Sequence, residues 1–180
     1  FCAIEMDEKY REGRYPLSDP PERGVALARI ICHKHFIYQR GLEKRARKGC
    51  SPDRKGLLTW YTPARSTESY MLHQGTKFAK RFDANCYIRI INMWTGFDLE
   101  ALSGRSMDET FRRYAEHGVP FMLFSISTDC CFTPRGISAF YRKLCKNGVQ
   151  AQYKCIRSQK GHDSFLLEPE LYEEELKKYL

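Results

Sequence analysis

The chain has 180 residues, with 30 Lys+Arg against 22 Asp+Glu and a formal net charge of +8. Hydrophobic residues at 42% and aromatics at 13% suffice for a packed core and exclude intrinsic disorder. No stretch approaches the roughly 20 apolar residues of a membrane-spanning helix and no signal peptide opens the chain, so no membrane partner is expected. The first residue is Phe rather than Met, which leads to the expectation of a processed chain or a fragment.

Eight cysteines (positions 2, 32, 50, 86, 130, 131, 145 and 155) are dispersed, with no C-x-x-C pair and no His at metal-ligand spacing. They are expected to be mostly reduced thiols of a cytoplasmic protein, with no metal. Basic residues gather at Arg40, Lys44, Arg45, Arg47, Lys48, Arg54 and Lys55. That stretch lacks zinc-finger spacing, an RNA-binding aromatic signature and a helix-turn-helix pattern, so it reads as a solvated helix face, with no nucleic-acid partner. A phosphate-bearing small molecule is the second reading, because Lys and Arg attract any polyanion.

Pro20-Pro21-Glu22 suits a helix start, since proline in the first turn loses no needed hydrogen bond, and Val25, Ala28, Arg29, Ile30 and Cys32 continue the pattern. A loop is expected over 49–56. Ser66 or Thr67 is expected to cap a helix through Tyr70 and Leu72. Phe82, Tyr87, Ile88, Ile90, Ile91 and Trp94 predict a third helical stretch with a broad apolar face.

Ser106-Met107-Asp108-Glu109 is a capping box, and its helix should end near His117 with Gly118 as the stop. Pro120 to Ile126 is a continuous apolar run, as in a buried parallel strand. A helix follows over Gly136 to Lys146, then a strand over Ala151 to Ile156. A last helix is expected over Glu168 to Leu180, with acids early and Lys177-Lys178 late to match its dipole. Residues 1–105 thus form a mainly helical region. Residues 106–180 alternate helix and strand in the rhythm of an α/β protein with a doubly wound sheet.

In open parallel sheets, reactive groups gather beyond the carboxyl ends of the strands. Asp129 follows the first strand, and His162 follows the second after a loop with Ser158, Lys160 and Gly161. An acid and a histidine so placed can pair, the acid holding the imidazole in one tautomer. The alternatives stay open: Asp129 as a helix cap and His162 as a surface residue. The other histidines (33, 35, 73 and 117) read as structural or surface. No Ser has Gly at both −2 and +2, as the strand–turn–helix nucleophile motif requires. Ser106 and Ser138 look like helix-start residues.

Pro21-Glu22-Arg23-Gly24-Val25-Ala26-Leu27-Ala28-Arg29, Glu68 through Phe78, and Arg81-Phe82-Asp83-Ala84-Asn85-Cys86-Tyr87, with Ser127-Thr128-Asp129 and Gly161 through Glu168, resemble the homoserine O-acetyltransferases. The resemblance runs over nearly the whole chain. It implies the C-terminal portion of an α/β-hydrolase fold: a helical lid over 1–105, then the last strands and helices of the core over 106–180. It also implies a ping-pong reaction in methionine biosynthesis. In that reaction a Ser that would precede Phe1 takes the acetyl group from acetyl-CoA and passes it to the homoserine hydroxyl. Acetyl-CoA is then a co-substrate, and no bound cofactor is implied. Asp129 corresponds to the triad acid, His162 to the general base, and Arg29 and Asp163 to the substrate-binding residues. Lacking the Ser, the chain by itself is expected to be inactive. A homodimer is implied by analogy. The sequence departs from the family at Cys86, at Trp94-Thr95-Gly96 and at Cys130-Cys131-Phe132, which leaves a succinyl donor, a serine acceptor or a simple esterase as alternatives.

Overall fold

The computed structural model describes residues 1–48 and 66–178, with side chains from 1–44 and 67–178. These residues form two compact units, one of Phe1–Lys34 with Gln39–Gly96, the other of His35–Tyr38 with Phe97–Leu180. The division at Gly96 and the grouping of 35–38 with the second unit differ from the 105/106 boundary read from the sequence. The loop expected over 49–56 lies outside the described residues.

The first unit is helical: α1 (Cys2–Glu5), α2 (Glu22–Phe36, whose last two residues group with the second unit), α3 (Gln39–Lys48), α4 (Ser66–Ala79) and α5 (Ala84–Thr95). Its core is small and tightly drawn, with Ile4, Val25, Ala28, Ala79 and Ala84 buried together. Close packing explains Gly75, where a Cβ would lie 2.7 Å from the Ala26 carbonyl of α2. Neither Ser66 nor Thr67 caps α4 from outside. Both lie within it, and the Thr67 hydroxyl donates to the Leu42 carbonyl at 3.4 Å.

The cap that fixes this unit is Asp83. Its carboxylate accepts from the Cys86 N–H at 2.9 Å, at the start of α5, and from the Tyr15 hydroxyl. The same Tyr15 oxygen accepts from the Asn85 N–H at 3.1 Å. Tyr15 thus ties the long segment before α2 to the N-terminus of α5, where a negative charge also suits the helix dipole.

The second unit contains α6 (Leu99–Ser103), α7 (Met107–Glu116), β1 (Phe121–Ile126), α8 (Pro134–Lys146), β2 (Ala151–Ile156), α9 (Ser164–Leu167) and α10 (Glu170–Lys177). The capping box at Ser106 and Glu109 forms as expected, and Gly118 turns the chain with φ +64°. α8 begins earlier than the pattern suggested, capped by Thr133 with Pro134 in its first turn. Ser138 is therefore an interior residue of α8, where its hydroxyl accepts from Arg142 at 2.7 Å. The expected last helix is broken: Glu168 ends α9, and Pro169 opens α10. Proline cannot donate the N–H that a continuous helix would need there.

The strands pair in parallel, Phe121 with Ala151 through Ile126 with Ile156. One face carries Phe121, Leu123 and Ala151 against Phe111, Leu144 and Val149. The other carries Phe124, Ile126 and Ile156 against Tyr172 of α10. The β1 residues 121–124 are only half-buried, short of the full burial expected, because β1 pairs on one edge alone among the described residues.

Burial works against the charged form of Asp83, but donation from Tyr15 and Cys86 outweighs it, and its pKa lies below the ordinary 3.8. A lowered carboxyl pKa stabilises the fold above the unfolded value, and that contribution is lost as pH falls through the folded one. Replacing Asp83 by Ala should cost about 1–2 kcal/mol in urea unfolding at neutral pH. Asp83→Asn should keep the cap and flatten the loss of stability below pH about 4. Equal midpoints for Asp83→Ala and the native protein would refute this role.

Candidate functional site

The register that brings Ile126 beside Ile156 also places the loops after β1 and β2 side by side. Three hydrogen bonds lock these loops together. The Thr128 hydroxyl donates to the Ser158 carbonyl at 2.8 Å and accepts from the Gly161 N–H at 3.2 Å. The Ser127 hydroxyl donates to the same carbonyl at 3.2 Å.

Asp129 sits inside this junction, 6% exposed. Its Oδ1 accepts from the Cys131 and Phe132 N–H groups at 2.7 and 2.9 Å. Its Oδ2 lies 2.9 Å from His162 Nδ1. The cap-like reading and the pairing are therefore both realised, one by each oxygen. An ionised carboxylate only accepts, so Nδ1 carries the proton and donates it to Asp129. That leaves the Nε2 lone pair able to take a proton from an incoming hydroxyl. Among the described residues no Ser or Cys is hydrogen bonded to His162.

Three rings surround the imidazole, with centroids at 5.5 Å for Phe36, 5.3 Å for Phe132 and 5.6 Å for Phe165. Beside it opens a cavity of about 510 Å³, whose walls include Phe124, Ile126, Ile137, Tyr172 and Leu176. The surroundings are apolar, so water competes weakly for the Asp129–His162 bond.

His162 lies in a single 3-10 turn, Gly161–Asp163. Gly161 has φ +69°, and a Cβ there would lie 2.5 Å from the Phe36 carbonyl and 2.8 Å from the Tyr38 N. Asp163 follows, half-buried, and caps nothing with its side chain. Arg29 belongs to the first unit. There its guanidinium lies over the Phe78 ring, 5.0 Å from the centroid, and its Nη2 is 3.5 Å from His33 Nδ1. Guanidinium has no acceptor, so His33 accepts from it and donates Nε2–H to the Tyr70 oxygen at 3.2 Å.

Sequence reasoning singled out Asp129, His162, Asp163 and Arg29. It quoted Thr128, Ser158 and Gly161 without a role, and it missed the ring enclosure by Phe36, Phe132 and Phe165. Gly161 carried a usable signal, a glycine immediately before the histidine. Phe36 carried none, because its proximity depends on a fold that joins residues 126 positions apart in the chain.

A parallel strand pair with an acid after one strand and its histidine after the next defines the α/β-hydrolase class. The solved structures agree. The esterase E22 superposes with a TM-score of 0.83 at 12% identity, over 98% of this chain and 47% of that one. The homoserine O-acetyltransferase of Bacillus anthracis gives 0.80 at 18% identity, over 98% and 45%. No family model matches. In sequence, the homoserine O-acetyltransferase of Caulobacter vibrioides is 32% identical over 99% of this chain. The homoserine O-succinyltransferase of Bordetella avium is 34% identical over 94%. The chain belongs to the homoserine O-acyltransferase family, and it spans 46% and 41% of the length of these two relatives. Among the described residues no helix is long and apolar enough to cross a membrane.

Gly118 and Gly161 both have positive φ, but a Cβ on Gly118 meets nothing within 4 Å. Gly118→Ala should therefore cost only the left-handed backbone term, about 1 kcal/mol. Gly161→Ala should cost clearly more and displace His162. Unfolding midpoints compare the two directly, and equal losses would show that the 36–38 segment yields.

Proposed function

We propose that the protein is an acyltransferase that moves an acetyl group from acetyl-CoA to the hydroxyl of homoserine. The observation that supports this most is the Asp129–His162 pair, 2.9 Å apart in a chain homologous to homoserine O-acyltransferases over 99% of its length. In this reading a Ser outside the 180 residues is the nucleophile. His162 Nε2 takes the Ser proton as the oxygen attacks the thioester carbonyl, and returns it to the departing CoA thiolate. The acyl-enzyme then meets the homoserine hydroxyl. His162 removes that proton and delivers it to Ser as the ester forms. Asp129 stays ionised throughout and stabilises the imidazolium.

Homoserine is a zwitterion, so the acceptor site needs both charges. Arg29 offers a planar fork of donors for the carboxylate. Asp163 offers an anion, uncommitted among the described residues, for the ammonium. The acceptor serine shares these charges, and relatives named as acetyl- and succinyltransferases match at similar identity. The donor reading therefore rests on assay rather than on likeness. Exposed Ile90, Met93 and Trp94 on α5 support association of two copies through the first unit, in the cytoplasm with methionine biosynthesis as the setting.

CoA release by the full-length protein, with acetyl-CoA and homoserine, tests this. Asp129→Asn should lower kcat by about 10⁴-fold, because the amide favours the wrong tautomer. Arg29→Lys and Asp163→Asn should raise the KM for homoserine and leave that for acetyl-CoA in place. The 180 residues alone should release no CoA. If ester hydrolysis instead proceeds unaffected by either Arg29 or Asp163 replacement, the protein is an esterase. Faster turnover with succinyl-CoA would shift the donor.

A further inference from the structure

The loop that carries His162 is anchored at both ends by one carboxylate oxygen. Glu168 Oε2 accepts from the Ser158 hydroxyl at 2.5 Å, four residues before His162, and from the Ser164 hydroxyl at 3.1 Å, two residues after it. Both serines are buried, 7% and 0% exposed, as is Tyr172 at 7%. The Tyr172 hydroxyl donates to the Ser164 oxygen at 3.1 Å, which orients the Ser164 proton toward Glu168. Ser158 is a junction in its own right. Its oxygen accepts from the Lys160 N–H at 2.9 Å, and its carbonyl accepts from Ser127 and Thr128 of the acid loop.

We propose that Glu168 is a positioning residue for the general base: it clamps Ser158 to Ser164 and thereby fixes the aim of the His162 imidazole at Asp129. The proposal rests on the reading of Asp129 and His162 as acid and base. A carboxylate suits the task because it only accepts, so two hydroxyl donors can converge on one oxygen without competing for a proton. The clamp matters because the loop between the two serines is one irregular turn, Gly161–Asp163, with no regular element to hold the ring. Misplacement of a reacting group by about 1 Å costs on the order of 10²-fold in rate.

The test follows the His162 ring itself, by NMR of the protein labelled with ring-¹⁵N histidine. The native protein should show a downfield Nδ1–H signal that Asp129→Asn abolishes. In Glu168→Ala that proton should exchange with water at least tenfold faster, and in Glu168→Gln by an intermediate factor. The ring signal of His33, buried in the other unit, should not change; general loosening would move both. In the full-length enzyme kcat should fall with the KM for homoserine retained. A folded Glu168→Ala with native exchange at His162 overturns the proposal. Should Glu168→Ala not fold, Ser158→Ala and Glu168→Gln decide by the same readout, native exchange in both again overturning it. A downfield signal that survives Asp129→Asn shows instead that the acid–base pair is not formed, and the proposal falls with that reading.

Discussion

Everything at the candidate site depends on the register of two parallel strands. Pairing Ile126 with Ile156 ends both strands at the same level, so the residues after them leave the sheet side by side. A shift of one residue would turn every side chain on the moved strand to the opposite face. The register is held from both faces. Leu123 and Ala151 pack toward the buried Phe111 and Leu144, while Ile126 and Ile156 pack toward Tyr172. Burying a side chain such as Phe or Leu contributes about 1.5–3 kcal/mol, against roughly 1 kcal/mol for one hydrogen bond. Packing therefore sets the register, and the loop hydrogen bonds refine it.

That division of labour explains what could be read in advance. Elements with a strong local signal were legible: the Ser106–Glu109 box, the apolar run of β1, and Gly118. Each signal belongs to a few neighbouring residues and to the backbone groups they satisfy. The break between α9 and α10 was missed because acids and lysines fit a helix dipole whether or not one turn is interrupted. Pro169 was the local clue. Asp129 and His162 were legible from their position after strands, although each alone supports a bland reading. The capping behaviour of Asp83 was hidden. Its partner Tyr15 lies 68 residues away, and nothing in a linear pattern links the two.

The first unit shows a different economy. Its buried residues are mostly small, with three alanines beside Ile4 and Val25, so helices approach closely and polar side chains do much of the fixing. Arg29 is an instance. Its flat guanidinium rests on Phe78 and points a donor at His33, which is itself oriented by Tyr70. A cation stacked on a ring keeps donors available at its edge while its stem is confined. That is the condition a carboxylate-binding arginine needs, and a freely moving surface arginine does not meet it. His33, read from the sequence as structural or surface, is buried, and its role is to orient its neighbours.

Three carboxylates lie on the loops and turns around one imidazole, and their hydrogen-bond donors tell them apart. Asp129 receives two backbone N–H groups on one oxygen and presents the other to the ring, so it is both immobilised and engaged. Glu168 receives two hydroxyls on one oxygen and holds chain rather than ring. Asp163, next to His162, receives none and is half-buried. A carboxylate gains from any donor within reach, and a partly desolvated one left without protein donors is the group with most to gain from an incoming cation. The sequence places the three within forty residues and makes them chemically alike; the donors that the fold supplies give them separate tasks.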